Sequence, residues 1–166
     1  MARNQPESTV TLPIIDRLID QDPQASAEAP MTRAQSVRAL KAGLKRDLEW
    51  LLNSRRIAEE PDESLEELNS SVYTYGVPDL TSFSIASAKD QNRLLRALQD
   101  SVKLFEPRLA NVRIIPIESA ELSIHTLRFR IEGLLLMDPA PEHVSFDTVL
   151  ELTSGECAIK GDADAR

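Results

Sequence analysis

The sequence predicts an α+β fold: two main helices packed on a small antiparallel sheet of three to four strands, with a short amphipathic helix near the N-terminus. Two observations indicate this class. Up to about residue 105, apolar residues recur three and four positions apart, whereas beyond residue 110 they alternate with polar residues. Because the helical pattern comes first and the strand pattern last, the helices should cover one face of the sheet.

The N-terminal segment, residues 1–34, is predicted to be mobile and to carry a docking helix. Within residues 11–20, the apolar side chains of Ile14, Leu18 and Ile19 share one side of a short amphipathic stretch. The residues that follow, up to 34, are mostly Ala, Pro, Gln, Ser and acidic residues, as in a linker. A helix this short is marginal in water, so it should dock either on its own domain or in a groove of a partner.

Two longer helices are predicted, over residues 36–53 and 91–105. Ser36 is the expected N-cap of the first helix, because serine side chains accept hydrogen bonds from helical N–H groups. Gly43 lies inside that helix and costs about 1 kcal/mol relative to alanine. This cost indicates a close packing contact at Gly43.

The C-terminal part of the chain reads as strands. The predicted strands are residues 111–118, 122–136, 144–152 and 157–160. Pro116 cannot donate to a ladder, so the first strand should lie at an edge of the sheet or end there. A sheet of so few strands leaves open edges, which are templates for pairing with another chain. The domain is therefore expected to span residues 35–160, followed by a polar tail at 161–166.

The second helix runs into a charged turn, Glu106-Pro107-Arg108. Pro107 disfavours the α conformation at Glu106, so the helix should end just before it. Glu106 then lies at the negative end of the helix dipole, where a carboxylate needs a partner. Arg108 could supply the positive charge, or another chain could. A local surface ion pair, contributing about 0–1 kcal/mol, is the simplest interpretation.

Composition and motifs exclude several classes of function. A net charge of −8 and a pI of about 4.8 disfavour nucleic acid as a main partner. A single cysteine excludes an internal disulfide and fits a reducing compartment, and no secretory signal or stretch of about 20 apolar residues is seen. We therefore expect a cytoplasmic protein without membrane insertion.

Catalytic machinery is not recognisable in the sequence. His125 and His143 stand in no metal-ligand spacing, and no phosphate-binding or nucleophile motif occurs. We expect no catalytic residue, no cofactor, no metal and no small-molecule substrate. A peptidoglycan glycosidase with Glu106 as its acid is the enzymatic alternative. Arg108 argues against that role, because a neighbouring cation favours an ionised carboxylate, which has no proton to donate.

Four segments in the same order resemble the gene-25-type baseplate wedge proteins of contractile phage tails. The likeness is closer still to the TssE branch of that family in type VI secretion systems. Residues 14–20 resemble its "LLDRLLD" segment, residues 46–56 its "RDLEWLLNTRR" helix and residues 71–80 its "SVLNYGLPDL" loop. Residues 104–109 contain its Glu-Pro-Arg motif. The resemblance covers residues 12–160, nearly the whole chain.

The resemblance implies a structural adaptor rather than an enzyme. Members of this family join the baseplate wedge to the contractile sheath, on the cytoplasmic side of a membrane-anchored apparatus, and can share strands with sheath subunits. Other wedge subunits and sheath subunits are therefore the expected partners. By this resemblance Glu106 and Arg108 would pair with the wedge core, and Pro107 would fix the backbone between them. The family is also described as lysozyme-like, and a regulatory anti-adaptor with the same fold is a further alternative.

Overall fold

The structure is a computed structural model. It describes residues 9–19, 23–24, 30–59, 61–62, 64–80, 83–84, 87–117 and 125–162. The chain divides into two compact units, Met1–Arg46 and Asp47–Arg166. The described residues form four α-helices and a four-stranded antiparallel sheet, which confirms the predicted α+β class and the short N-terminal helix.

The two long helices each begin three residues earlier than the sequence analysis expected. The described helices are α1 (Ile14–Leu18), α2 (Arg33–Asn53), α3 (Glu66–Asn69) and α4 (Ala88–Phe105). The N-cap predicted at Ser36 was wrong, because Thr32 and Gln35 form a capping box ahead of it. The Thr32 hydroxyl accepts from the Gln35 N–H (3.3 Å), and the Gln35 side chain accepts from the Thr32 N–H (2.8 Å). Helix α4 is capped by Ser87 and ends at Phe105, as Pro107 requires.

The sheet contains the four predicted strands with shifted bounds. They are β1 (Leu109–Pro116), β2 (Thr126–Leu135), β3 (Glu142–Glu151) and β4 (Cys157–Asp162). The strands lie in the order β1-β2-β3-β4, so Pro116 ends an edge strand as expected. Strand β4 extends two residues beyond its predicted end at 160, into the predicted polar tail. Residues 122–124 of the second predicted strand and 163–166 of the tail lie outside the described residues.

The core of the second unit lies on one face of the sheet. Alternate residues of β2 point inward, with Phe129 and Ile131 fully buried, while Arg128 is exposed. Helix α4 contributes apolar side chains at helical spacing and contacts β1. The fully buried side chains of this unit with the largest volumes are Phe129, Phe146, Leu48, Leu52, Leu80, Leu94, Leu98, Ile131, Leu135, Leu150 and Val77. This face holds the end of α4, and with it the charged turn, in place.

Candidate partner-binding site

The turn between α4 and β1, here called the elbow, consists of Glu106, Pro107 and Arg108. The Glu106 N–H donates to the Val102 carbonyl (2.9 Å) and closes the last turn of α4. Glu106 itself has φ −121° and ψ 74°, which lies outside the helical region, as expected for a residue before proline. The Leu109 N–H then donates to the Glu106 carbonyl (3.1 Å). Backbone bonds on both sides therefore fix the direction of the elbow.

The side chains of the elbow form an ion-pair network within the chain. Arg108 Nε donates to Glu106 Oε1 (2.6 Å), and Arg108 Nη2 donates to Glu106 Oε2 (2.5 Å). The same Nη2 donates to Asp47 Oδ2 (2.7 Å), 61 residues away in sequence. Two-pronged guanidinium–carboxylate pairs of this kind are among the stronger hydrogen-bonded contacts in proteins. The hydrogen bonds to Glu106, followed by those to Asp47, raise the pKa of Arg108 against the opposing effect of burial.

Glu106 pairs with Arg108 of its own chain, which is one of the two alternatives that the sequence left open. The pair is largely buried, so it differs from the surface ion pair that was the simplest interpretation. Glu106 is only 5% exposed, whereas Pro107 is exposed and the Arg108 side chain is 24% exposed. Tyr75 packs edge-on against Phe105 beside the network, with ring centroids 5.2 Å apart. Burial, and then the nearby carboxylates, raise the pKa of Tyr75. The elbow thus offers Pro107 and the outer side of Arg108 at the surface.

The C-terminal turns of α2 cap the free edge of β4. The Asn53 side chain accepts from the Cys157 N–H and donates to the Cys157 carbonyl, both at 2.8 Å. Glu49 Oε1 accepts from the Ile159 N–H (3.1 Å). With Asp47 at the elbow, three polar residues from the predicted 46–56 motif therefore hold distant parts of the second unit. Sequence reasoning recognised this segment but assigned none of these roles.

The other edge of the sheet is also partly closed. The Ile114 N–H of β1 donates to Gln99 Oε1 of α4 (3.2 Å), and Pro116 has no N–H to offer. The expectation of open sheet edges was therefore wrong at these positions. The physical reason is that unpaired strand edges invite aggregation, and side chains of the adjoining helices satisfy them here.

The N-terminal hook residues Ile14, Leu18 and Ile19 lie in the first unit and are 66%, 78% and 49% exposed. Helix α1 is held instead through its polar residue, because Arg46 Nη1 donates to Asp16 Oδ1 (2.5 Å). None of the three hook side chains is thus buried by the residues that the structure describes. The structure brings Glu106 and Arg108 together at the elbow and places the hook residues in a separate unit.

Residues 38–140 match the family profile described as baseplate wedge protein gp25. The chain belongs to the gp25 family of baseplate wedge proteins. The matched segment is more than half of the chain and contains the elbow, β1 and β2, and it confirms the family predicted from the motifs. No curated protein and no solved structure gives a significant match to the chain. The protein is thus a structural component of a phage-tail-like baseplate, and other baseplate proteins are its partners.

Three observations bear on other functions of this gp25-family chain. Both carboxylate oxygens of Glu106 accept hydrogen bonds from Arg108, an arrangement suited to a structural acceptor rather than a proton donor. Burial raises the pKa of Cys157 to about 12, so its thiol is protonated near neutral pH. In the described part of the chain, no group of His, Cys, Asp and Glu side chains could hold a metal ion, and no helix is long and apolar enough to span a bilayer.

Proposed function

We propose that this gp25-family protein is the TssE-type subunit of a type VI secretion baseplate, where it links the wedge to the contractile sheath on the cytoplasmic side of the apparatus. The observation that carries the proposal is the elbow, a preformed Glu-Pro-Arg corner inside the family-matched segment. The TssE-like segments at residues 14–20 and 46–56 favour a secretion system over a phage tail.

In this proposal Glu106, Pro107 and Arg108 bind the wedge core as a rigid unit. Arg108 and Pro107 make the direct contacts, and the buried Glu106 holds Arg108 in place. With Asp47 the network carries a formal charge of −1, so the partner surface should bring a cation or backbone donors. A corner that is already ordered loses little conformational entropy on binding, which favours tight assembly.

The hook supplies a second contact. Ile14 and Leu18 are four residues apart on α1, and Ile19 follows directly, so their side chains can enter one apolar groove of a wedge subunit. Sheath binding is proposed to use the sheet. A sheath strand that adds to β4 would replace the Asn53 and Glu49 side-chain bonds with backbone bonds. Such an exchange keeps every strand group paired.

The proposal is tested by capturing purified wedge subunits and sheath protein with the tagged chain. We expect Arg108→Ala to lose wedge capture. Because this variant also removes the cation that pairs with the buried Glu106, the double variant Glu106→Gln/Arg108→Ala serves as a better-folded second probe. Arg128→Ala is the matched control, since Arg128 is exposed on the outer face of β2. Normal wedge capture by folded Arg108 variants would refute the elbow's role.

The glycosidase alternative is tested in parallel. We expect the purified protein to release no reducing ends from peptidoglycan. Release by the wild type that disappears in Glu106→Gln would replace the structural proposal with an enzymatic one.

A further inference from the structure

Helix α1 makes its contact with α2 through a polar residue, Asp16, while its apolar residues stay exposed. Its apolar residues Ile14 and Leu18 are 66% and 78% exposed, whereas the side chain of Asp16 is only 13% exposed. An amphipathic helix normally buries its apolar side. A contact made by a single carboxylate therefore determines which side of α1 faces outward.

Gly43 of α2 makes room for this carboxylate. A Cβ atom at position 43 would lie 2.8 Å from Asp16 Oδ2 and 3.6 Å from Asp16 Cγ. Any residue other than glycine would therefore displace Asp16, which confirms the close contact predicted at Gly43. Arg46 lies one helical turn further along the same face of α2 and donates to Asp16 Oδ1.

A second attachment precedes α1. The Val10 N–H donates to the Ser36 hydroxyl (3.1 Å), and both residues are buried. Ser36 and Arg46 are ten residues apart, about 15 Å along a helix. The four steps from Val10 to Ile14 can reach about 14 Å when extended, and the two helical steps to Asp16 add about 3 Å, so the segment can span the distance between the two attachments along α2.

The contact at Asp16 holds through one oxygen. Asp16 Oδ2 is buried, and among the described residues it accepts no hydrogen bond. Gly43 therefore contributes the space that Oδ2 occupies, and the attraction that holds α1 comes from the ion pair between Asp16 and Arg46. Filling the space at Gly43, or removing the Asp16–Arg46 ion pair, should therefore release α1, while the backbone hydrogen bonds of α2 remain.

We propose that Asp16, Gly43 and Arg46 form a seat that fixes α1 with Ile14 and Leu18 outward, ready for a wedge subunit. The inference rests on the proposed role of the hook in wedge binding. Asp16, Gly43 and Arg46 are then positioning residues: they orient α1 for the wedge subunit and do not contact that subunit themselves.

The test is Gly43→Ala, with Gly161→Ala as the control because, apart from its chain neighbours, no atom of the described residues lies within 4 Å of a Cβ at Gly161. The first readout needs no partner: the rate of tryptic cleavage after Arg17, which lies within α1. We expect cleavage about tenfold faster in Gly43→Ala and unchanged in Gly161→Ala, with the helical circular dichroism retained. Asp16→Ala should show the same acceleration, and the double variant should cleave no faster than either single variant, because one seat is lost in each case.

The second readout is wedge capture. We expect Gly43→Ala to weaken capture at least severalfold, and Ile14→Ser/Leu18→Ser to weaken it as well. Unchanged cleavage in Gly43→Ala would overturn the seat. Faster cleavage with undiminished capture would overturn its positioning role, while loss of capture in the Ile14/Leu18 variant would leave the proposed hook intact. Normal capture by the Ile14/Leu18 variant would refute the hook itself and the seat's role with it.

Discussion

Replacing Arg108 with methionine removes the cation of the elbow and keeps much of its apolar volume. Glu106, 5% exposed, is then left as a buried carboxylate at the negative end of α4. Removing one partner of a buried ion pair costs about 3–5 kcal/mol. Because the Arg108 and Asp47 side chains are 24% and 25% exposed, solvent screening places the expected cost at the lower end, about 3 kcal/mol. For a chain of this size, that lowers Tm by about 6–12 °C.

The double variant Glu106→Gln/Arg108→Met separates the charge effect from packing. The double variant leaves no buried charge at position 106 and loses the Arg108 hydrogen bond to Asp47, whose side chain is 25% exposed, so we expect a cost of about 1 kcal/mol. Urea unfolding followed by circular dichroism at pH 7 measures the free energy of unfolding for the wild type, both single variants and the double variant. A double-mutant cycle then gives the coupling between Glu106 and Arg108, which is the sum of the two single-variant costs less the cost of the double variant and is expected to be at least about 2 kcal/mol. Arg128→Met on the exposed face of β2 is the control, with a change within about 0.5 kcal/mol.

If Arg108→Met costs no more than the Arg128→Met control, and the coupling with Glu106 is near zero, the pair behaves like an exposed surface pair. The elbow would then not be internally held, and its role as a preformed corner would have no physical basis.

Three further outcomes are expected. Asn53→Ala should unpair the Cys157 backbone of β4, which accelerates hydrogen exchange of that amide, costs about 1–3 kcal/mol in urea unfolding and promotes concentration-dependent association in light scattering. The Cys157 thiol, with its pKa raised by burial from 9.0 to about 12, should resist a thiol reagent at pH 8 until urea unfolds the protein. Since the folded state holds this proton more tightly, Cys157 contributes stability that is present below about pH 9 and is lost as pH rises toward 12. Deleting residues 1–30 should leave the circular dichroism of the second unit unchanged, lower Tm modestly because the Val10–Ser36 and Asp16–Arg46 contacts are lost, and weaken wedge capture. A fall in Tm as large when only Ile14 and Leu18 are replaced by serine would show that the hook belongs to the core.

The helical and strand segments were predictable because their signals are local. The end of α4 followed from Pro107, whose ring restricts the residue before it. Thr32 and Gln35 have the spacing of a capping box, which is a local signal for the start of α2, and it outweighs the N-cap preference of serine at position 36. Helix α3 was missed, since four residues are too short to show a period.

The contacts that shape the candidate site were beyond the reach of sequence reasoning. The Asp47–Arg108 pair joins residues 61 apart, the Asn53–Cys157 bonds join residues 104 apart, and the Glu49–Ile159 bond joins residues 110 apart. The sequence shows charged and polar residues at the end of α2 without indicating what each one meets.

The sequence by itself determined the α+β class, the family and the corner at Pro107, because these depend on the period of apolar residues, on motifs and on the conformational limits of single residues. It indicated a close contact at Gly43 without showing that Asp16 makes it. Only the tertiary structure decided that Glu106 is buried, that side chains close parts of both sheet edges and that α1 turns its apolar side outward. The physical reason is that burial and hydrogen-bond pairing depend on groups that lie far apart in the chain and meet only when it folds.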